Sequence, residues 1–165
     1  MKRAVILVGH GAPARDFPRE IVARWKMLEG RRQASGGPVS AEEAALDRQI
    51  REHPRTADND PYRAGFAALG AALAPLIGEA TLHLAYNEFC APTVEEAAAE
   101  AVLGGAQRID VLPSMLTPGG VHAEVEIPDS VARARARHPG VEIRYVWPFD
   151  LAAVAAVLAA HLGIR

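Results

Sequence analysis

Two histidines and one glutamate are the residues in this chain whose types and positions could do chemistry together. His10 has glycine on both sides, His122 follows closely on a pair of glycines, and Glu88 lies between them in the sequence. Imidazole and carboxylate groups suit borderline divalent metals such as cobalt, iron, nickel or zinc. Glycine allows the backbone to approach a ligand closely. A metal site requires that the fold bring these three side chains to one place.

Four short segments are predicted to be strands, at residues 4–8, 80–86, 108–112 and 141–146. The first is apolar throughout, which is typical of a strand covered by helices on both faces. Strands that alternate with helices predict a parallel sheet with right-handed crossovers. We therefore predict one α/β domain over residues 1–165, with a doubly wound, four-stranded parallel sheet in the order 2-1-3-4.

Helix starts are predicted from capping residues and from proline. The signals are Asp16, the Ser40–Glu43 and Thr93–Glu96 capping boxes, Asp60-Pro61, Pro128 and Asp150. The residues from Ser114 to His122 are read as a loop that closes just before the helix at Pro128. The last helix is expected to bury an apolar face made of Leu151, Val154, Leu158 and Leu162.

The stretch from about 30 to 60 is charged and has almost no apolar period apart from one short predicted helix. It is interpreted as a polar helical insertion in the domain. Long polar segments in compact domains are usually either functional or disordered. A lid over the site is therefore one hypothesis for this stretch.

The predicted topology directs attention back to the two histidines. In open α/β sheets the ligand lies beyond the carboxyl ends of the strands, where the winding direction reverses. That reversal falls between the first and third strands, which His10 and His122 follow, and Glu88 follows the second strand at the same edge. On these grounds alone, a metal site and a purely structural role for the histidines stay equally open.

Composition excludes several classes of partner. The formal charge is −2, so no net field attracts nucleic acid or an anionic membrane. The single cysteine, Cys90, cannot form an intrachain disulfide and fits a reducing compartment. No segment approaches the roughly 20 apolar residues that span a bilayer. We expect a soluble, cytoplasmic protein.

Three segments carry a resemblance to a known family: residues 8–11 (VGHG), 88–92 (EFCAP) and 119–128 (GGVHAEVEIP). In this order they are similar to the short CbiX-type sirohydrochlorin cobalto- and ferrochelatases, which are class II chelatases. The last segment is the most specific of the three. The resemblance covers residues 3–15 and about 80–162, and it leaves out the polar stretch.

The resemblance implies insertion of a divalent metal into sirohydrochlorin or a related tetrapyrrole, in cobalamin or sirohaem biosynthesis. The metal is a substrate, with Co²⁺ first and Fe²⁺ or Ni²⁺ as alternatives, and no nucleotide cofactor is expected. By this resemblance His10 is the principal metal ligand, His122 a ligand or proton acceptor, and Glu88 a third ligand, base or orienting group. A homodimer is expected by analogy with the short chelatases.

A carboxylate-rich tetrapyrrole should meet a basic rim, for which Arg15 and Arg19 are candidates, whereas Arg31, Arg32 and Arg133 are interpreted as solvated. A non-catalytic metal or tetrapyrrole carrier of the same fold is the alternative function. A histidine phosphatase is disfavoured because that chemistry needs an arginine where Gly9 stands. A dinucleotide-binding glycine fingerprint is absent from the sequence.

Overall fold

A computed structural model describes residues 1–163 and shows a parallel sheet of four strands. The strands are β1 (Arg3–Gly9), β2 (Thr81–Tyr86), β3 (Arg108–Pro113) and β4 (Glu142–Tyr145). Their order is β2-β1-β3-β4, and all three neighbouring pairs are parallel. The predicted α/β class and the predicted strand order are confirmed.

Helices connect the strands, and a last helix follows β4. They are α1 (Arg19–Ser35), α2 (Ala41–Glu52), α3 (Pro61–Leu73), α4 (Val94–Leu103), α5 (Ile127–Arg137) and α6 (Leu151–His161). A short 3₁₀ turn, Ala74–Leu76, extends α3, and a π-helical turn, His122–Glu126, leads into α5. No helix within residues 1–163 is long and apolar enough to cross a membrane.

The capping predictions were correct for some helices and wrong for another. The Thr93–Glu96 box is formed in both directions, and Asp150 caps α6 as predicted. Asp16 was wrong as a cap, because α1 begins at Arg19 with Pro18 at its N-cap. The Asp16 carboxylate instead accepts a hydrogen bond from Asn59 and lies 3.0 Å from His53 Nε2.

Apolar residues form a separate core on each face of the sheet. One core packs β1 and β3 against α4 and α5 with small and branched side chains such as Ile6, Ala97 and Val131. The other packs the opposite face against α1, α2 and α3 and contains Trp25 and Ile50. Because Ile50 belongs to this second core, the polar stretch is anchored in the body of the domain through α2.

The last helix departs from the sequence prediction. No residue of α6 is buried within the described chain, and Leu151 and Leu158 are 57% and 59% exposed. The predicted burial of its apolar face was therefore wrong for the single chain. Spacing predicted an apolar helix correctly, but spacing does not specify which surface covers it.

Candidate metal centre

The loops that follow β1 and β2 lie against each other at the carboxyl edge of the sheet. The Glu88 N–H donates to the His10 carbonyl at 2.8 Å, and the Asn87 N–H donates to the Gly9 carbonyl at 2.9 Å. Gly11 makes this approach possible: it has a φ of +91°, and a Cβ there would lie 1.9 Å from the Glu88 carbonyl oxygen. Only glycine fits at this position without movement of the backbone.

These loops and the turn after β3 bring together the three residues predicted from the sequence. One ligand atom each of His10, Glu88 and His122 can be chosen so that all lie within 4.8 Å of one another. The ring centroids of the two histidines are 4.7 Å apart, and the rings are nearly perpendicular. His10 Nε2 lies 3.8 Å from Glu88 Oε2. The three side chains therefore meet at the edge of the sheet that the predicted strand order indicated.

Glu88 is unusual for a charged residue. Its side chain is only 10% exposed, and within residues 1–163 its carboxylate forms no hydrogen bond. Its oxygens are not among the fully buried unpaired atoms of residues 1–163, because the side chain opens onto a cleft. A carboxylate held in this way beside two imidazoles is well suited to bind a cation.

The tautomer of His10 follows from its contacts. Its Nδ1 lies 2.7 Å from the carbonyl oxygen of Gly11, which can only accept a hydrogen bond. Nδ1 therefore carries the proton, and Nε2 presents a lone pair towards Glu88. The Tyr62 hydroxyl also accepts a hydrogen bond from the His10 backbone N–H at 2.7 Å.

His122 is oriented by a residue that the sequence reasoning missed. Its Nδ1 lies 2.6 Å from Glu126 Oε2, and Asn87 Nδ2 donates to the same oxygen at 2.6 Å. Burial raises the pKa of Glu126, but the hydrogen bonds from His122 and Asn87 outweigh it and hold the pKa below its usual value. Glu126 is therefore ionised at neutral pH. The Asn87 Nδ2 also lies 3.0 Å from His122 Nδ1, but the shorter contact to a carboxylate favours the proton of His122 on Nδ1 and leaves Nε2 free.

The backbone around His122 explains why Glu126 was missed. The predicted helix start at Pro128 is confirmed, since α5 begins at Ile127, but His122 was predicted to close a loop and instead begins a π turn that leads into α5. The Ile127 N–H donates to the His122 carbonyl, which is the i to i−5 bond of a π turn. Residues four apart are neighbours only where the backbone is helical. The contact between Glu126 and His122 could therefore be predicted only if this turn had been predicted.

A second acidic residue, Glu29, reaches the same place from α1. Carboxylate oxygens of Glu29, Glu88 and Glu126 can be chosen within 4.8 Å of one another. Burial, followed by the charges of Glu88 and Glu126, raises the pKa of Glu29 to about 7. Like charges so close together disfavour a fully ionised cluster when no cation is present.

The carboxylates line a cleft of about 740 Å³ between α1 and α2 on one side and the start of α5 on the other. The acidic lining residues are Glu29, Glu43, Asp47, Glu88, Glu126 and Asp129, and the basic ones are Arg32, Arg51 and Arg133. Acidic side chains therefore outnumber basic ones in this cleft. A concave surface of this charge attracts cations and repels polycarboxylates.

The expected basic rim is not found at this cleft. Arg15 and Arg19 are absent from its lining. Arg32 was interpreted as solvated, but its Nε donates to Glu43 at 2.7 Å and it lines the cleft. Arg133 also lines the cleft, and it is paired with Glu95 at 2.6 Å. Each of these two arginines therefore has a carboxylate partner within the chain.

Cys90 lies apart from the three candidate ligands despite its position two residues after Glu88. Its side chain is fully buried, with Sγ 3.5 Å from the Ala12 carbonyl and 3.4 Å from Asp60. Burial raises the pKa of the thiol above its usual value. These contacts are those of a packed side chain.

Comparison with known proteins identifies the family. The sequence profile of the CbiX family matches residues 56–162. The chain belongs to the CbiX family. The match includes Glu88 and His122, and His10 lies in the segment before it.

Several individual proteins are similar to this CbiX chain in sequence or in fold. A sirohydrochlorin ferrochelatase from Priestia megaterium is 32% identical over 66 residues, which is 40% of this chain and 24% of that protein. The sirohydrochlorin chelatase SirB from Bacillus subtilis subspecies spizizenii, solved in complex with cobalt, has a TM-score of 0.58 at 23% identity. The comparison covers 99% of this chain and 51% of SirB.

A third relative has the same size as this chain. A CbiX protein from Marinobacter aquaeolei assigned to cobalamin biosynthesis has a TM-score of 0.56 at 18% identity, and the comparison covers 99% of this chain and 97% of that one. The two solved structures share the fold. The chain spans about half of SirB and about a quarter of the ferrochelatase.

The raised pKa of Glu29 predicts a pH-dependent stability that Glu29→Gln removes. Its pKa rises from the ordinary value of 4.5 to about 7 in the fold, so the folded chain binds more protons than the unfolded chain between these values. Stability from this group is therefore lost as the pH rises through about 7. We expect Glu29→Gln to raise the melting temperature of the metal-free chain at about pH 8 and to have little effect at about pH 5.

Glu20→Gln, on an exposed position of the same helix, is the matched control and should show no such pH dependence. Thermal unfolding monitored by circular dichroism in a chelator measures both variants. Equal melting temperatures for Glu29→Gln and the parent chain at high pH would contradict the assignment of a strained carboxylate cluster.

Proposed function

We propose that this protein is a chelatase that inserts a divalent metal ion into sirohydrochlorin or a related tetrapyrrole. The observation that carries the proposal is the convergence of His10, Glu88 and His122 within 4.8 Å at the carboxyl edge of the sheet. Membership of the CbiX family and similarity to a protein named sirohydrochlorin ferrochelatase support the same reaction.

The donor set suits a metal that must be held and then released. Two neutral imidazoles and one carboxylate favour cobalt, iron or nickel in the divalent state. A cluster of thiolates would retain such an ion more tightly, and the one thiol near the site is buried against Ala12 and Asp60. Cobalt is the first choice, because a SirB relative was solved in complex with that metal.

Metal insertion also releases two protons from pyrrole N–H groups, and the two histidines differ in how well they can accept one. The Nδ1–H of His10 faces a neutral carbonyl, whereas that of His122 faces the ionised carboxylate of Glu126. A carboxylate stabilises the imidazolium that forms when Nε2 takes up a proton. We therefore propose His10 and Glu88 as the principal metal ligands, and His122 as a third ligand whose Nε2 takes up a proton once the metal has left it.

The charge of the cleft favours one direction of approach for each substrate. Glu88 lines the acidic cleft, whereas neither His10 nor His122 does, and the His10 side chain is 39% exposed. A cation is attracted to the Glu88 side, and a polycarboxylate is repelled from it. We propose that the metal reaches the centre from the cleft and that the tetrapyrrole lies over the exposed side of the imidazoles.

We further propose that the working form is a homodimer in which α6 packs against a second copy. The exposed leucines of α6 form an apolar surface for which the described chain provides no cover. SirB is about twice as long, so a second copy of this chain would supply an equivalent mass of protein. Contiguous exposed apolar surface of this kind commonly marks an interface. A cytoplasmic location stays a prediction from the sequence.

The first test concerns the ligands. We expect His10→Ala and His122→Ala each to abolish acceleration of Co²⁺ insertion into sirohydrochlorin, because each removes an imidazole from the centre. The change in the absorption spectrum of the macrocycle measures the rate against a protein-free control, and His138→Ala, at the C-terminal end of α5, serves as the matched variant. Full activity in both site variants would refute the assignment. Bound pigment without acceleration in the parent chain would favour the carrier.

The orienting role of Glu126 gives a second test. We expect Glu126→Ala to weaken Co²⁺ binding by roughly 10–100-fold, because the partner that fixes the His122 tautomer is lost. Glu126→Gln, whose amide oxygen can still accept from Nδ1, should lose less affinity. Isothermal titration of the metal-free chain with Co²⁺ measures this order, and an equal effect of both variants would argue against control of the tautomer.

The dimer has its own test. We expect Leu158→Asp to convert a dimer to monomers in sedimentation velocity, because it places a charge in the centre of the apolar α6 surface. Leu103→Asp, at a position 88% exposed at the end of α4, is the matched control and should stay dimeric. A parent chain that sediments as a monomer at all concentrations would contradict the proposal.

A further inference from the structure

The polar stretch places two arginines behind the loop that carries Glu88. Arg51 lies near the end of α2 and Arg55 lies in the segment between α2 and α3. Their side chains are only 13% and 6% exposed, which is unusual for arginine. Both guanidinium groups are directed at backbone carbonyls of residues 87–90, here called the Glu88 loop.

Arg51 binds this loop on both sides of Glu88. Its Nη2 donates to the Asn87 carbonyl at 2.9 Å, and its Nη1 donates to the Cys90 carbonyl at 2.6 Å. Its Nε is fixed in turn by Asp47, one turn earlier in α2, at 2.8 Å. A planar guanidinium can bridge two such carbonyls at once, which a lysine ammonium cannot do in the same way.

Arg55 binds the middle of the Glu88 loop and joins it to the loop of His10. Its Nη2 donates to the Phe89 carbonyl at 2.6 Å, and its Nη1 donates to the Ala12 carbonyl at 2.7 Å. The buried carboxylate of Asp60 lies 2.8 Å from Nη1 and balances the charge. One side chain therefore connects the two loops that carry His10 and Glu88.

The loop has a reason to need this support. Phe89 has a φ of +60°, a left-handed conformation that is costly for a residue with a bulky side chain. A strained residue of this kind persists only when surrounding contacts fix it. Its ring is held by Trp25, whose centroid lies 5.3 Å away, and its carbonyl is held by Arg55. Glu88 is the residue immediately before this strained position.

We propose that Arg51 and Arg55 are positioning residues that hold Glu88 in its ligand geometry, and that this is the role of the polar stretch. The inference rests on the proposed metal centre. In this proposal the polar stretch holds the backbone of the Glu88 loop, and it does not form a lid over the tetrapyrrole. Because Glu88 has no hydrogen bond to its carboxylate in the described chain, its position depends on how its backbone is held.

Arg51 is the better residue for a test. Replacement of Arg55 would leave Asp60 buried without its partner, which is a strongly destabilising change in itself. Arg51→Met keeps much of the side-chain volume and removes both carbonyl contacts, whereas Asp47 is partly exposed and can be solvated. Arg48→Met, on an exposed position of the same helix, is the matched control.

The measurement is the dissociation constant of Co²⁺, from titration of the metal-free chain monitored by the visible absorption of the bound ion. We expect Arg51→Met to raise this constant about 10-fold, Arg51→Lys to raise it less, and Arg48→Met to leave it unchanged. The spectrum of bound Co²⁺ should also change in Arg51→Met, because one ligand is displaced. Melting temperatures of the metal-free variants monitor folding.

A double-mutant cycle separates positioning from general stabilisation. If Arg51 acts through Glu88, Arg51→Met should have little further effect on Co²⁺ affinity in a Glu88→Gln background. An equal loss in both backgrounds, or an unchanged dissociation constant in Arg51→Met, would overturn the proposal. His10→Ala tests the metal centre itself, and undiminished Co²⁺ binding by this variant would contradict both proposals. If only the Arg51→Met result fails, the role of Arg51 is contradicted and the proposed metal centre is not.

Discussion

The close approach of the loops after β1 and β2 is the constraint on which the rest of this site depends. Parallel pairing of the two strands ends both at the same edge of the sheet, at Gly9 and Tyr86. The next residues continue the contact through backbone hydrogen bonds, and Gly11 leaves the space that the Glu88 carbonyl occupies. His10 and Glu88 are therefore brought together by the backbone, before any side-chain interaction is considered.

Much of the fold and the three central residues of the site could be predicted from the sequence because they depend on strong local signals. A continuous apolar run identified β1, and the alternation of short strand segments with helices predicted a parallel sheet. The rule that ligands bind where the winding reverses then placed His10 and His122 at one edge. Glu88 followed from the same topology, since it comes directly after β2.

The parts that could not be predicted depend on contacts between distant segments or on an irregular backbone. Glu126 was hidden by a π turn that starts before the proline signal at Pro128. Glu29 lies on α1 and joins the carboxylate cluster. The sequence of α1 contains no pattern that predicts a functional role for Glu29. The apolar face of α6 was predicted to be buried but is exposed in the described chain. An apolar face indicates that a helix packs against another surface, but it does not indicate whether that surface belongs to the same chain.

The hydrogen bonds of Glu126 have a consequence for how the proposed centre would bind an ion. By binding both Asn87 and His122, this carboxylate ties the segment after β2 to the turn after β3, across the end of β1. The donor groups therefore already stand close together, and capture of an ion spends little free energy on ordering the chain. Departure of the ion likewise requires no unfolding. In the proposed chelatase, a donor set that is ordered in advance would therefore raise the affinity for the ion.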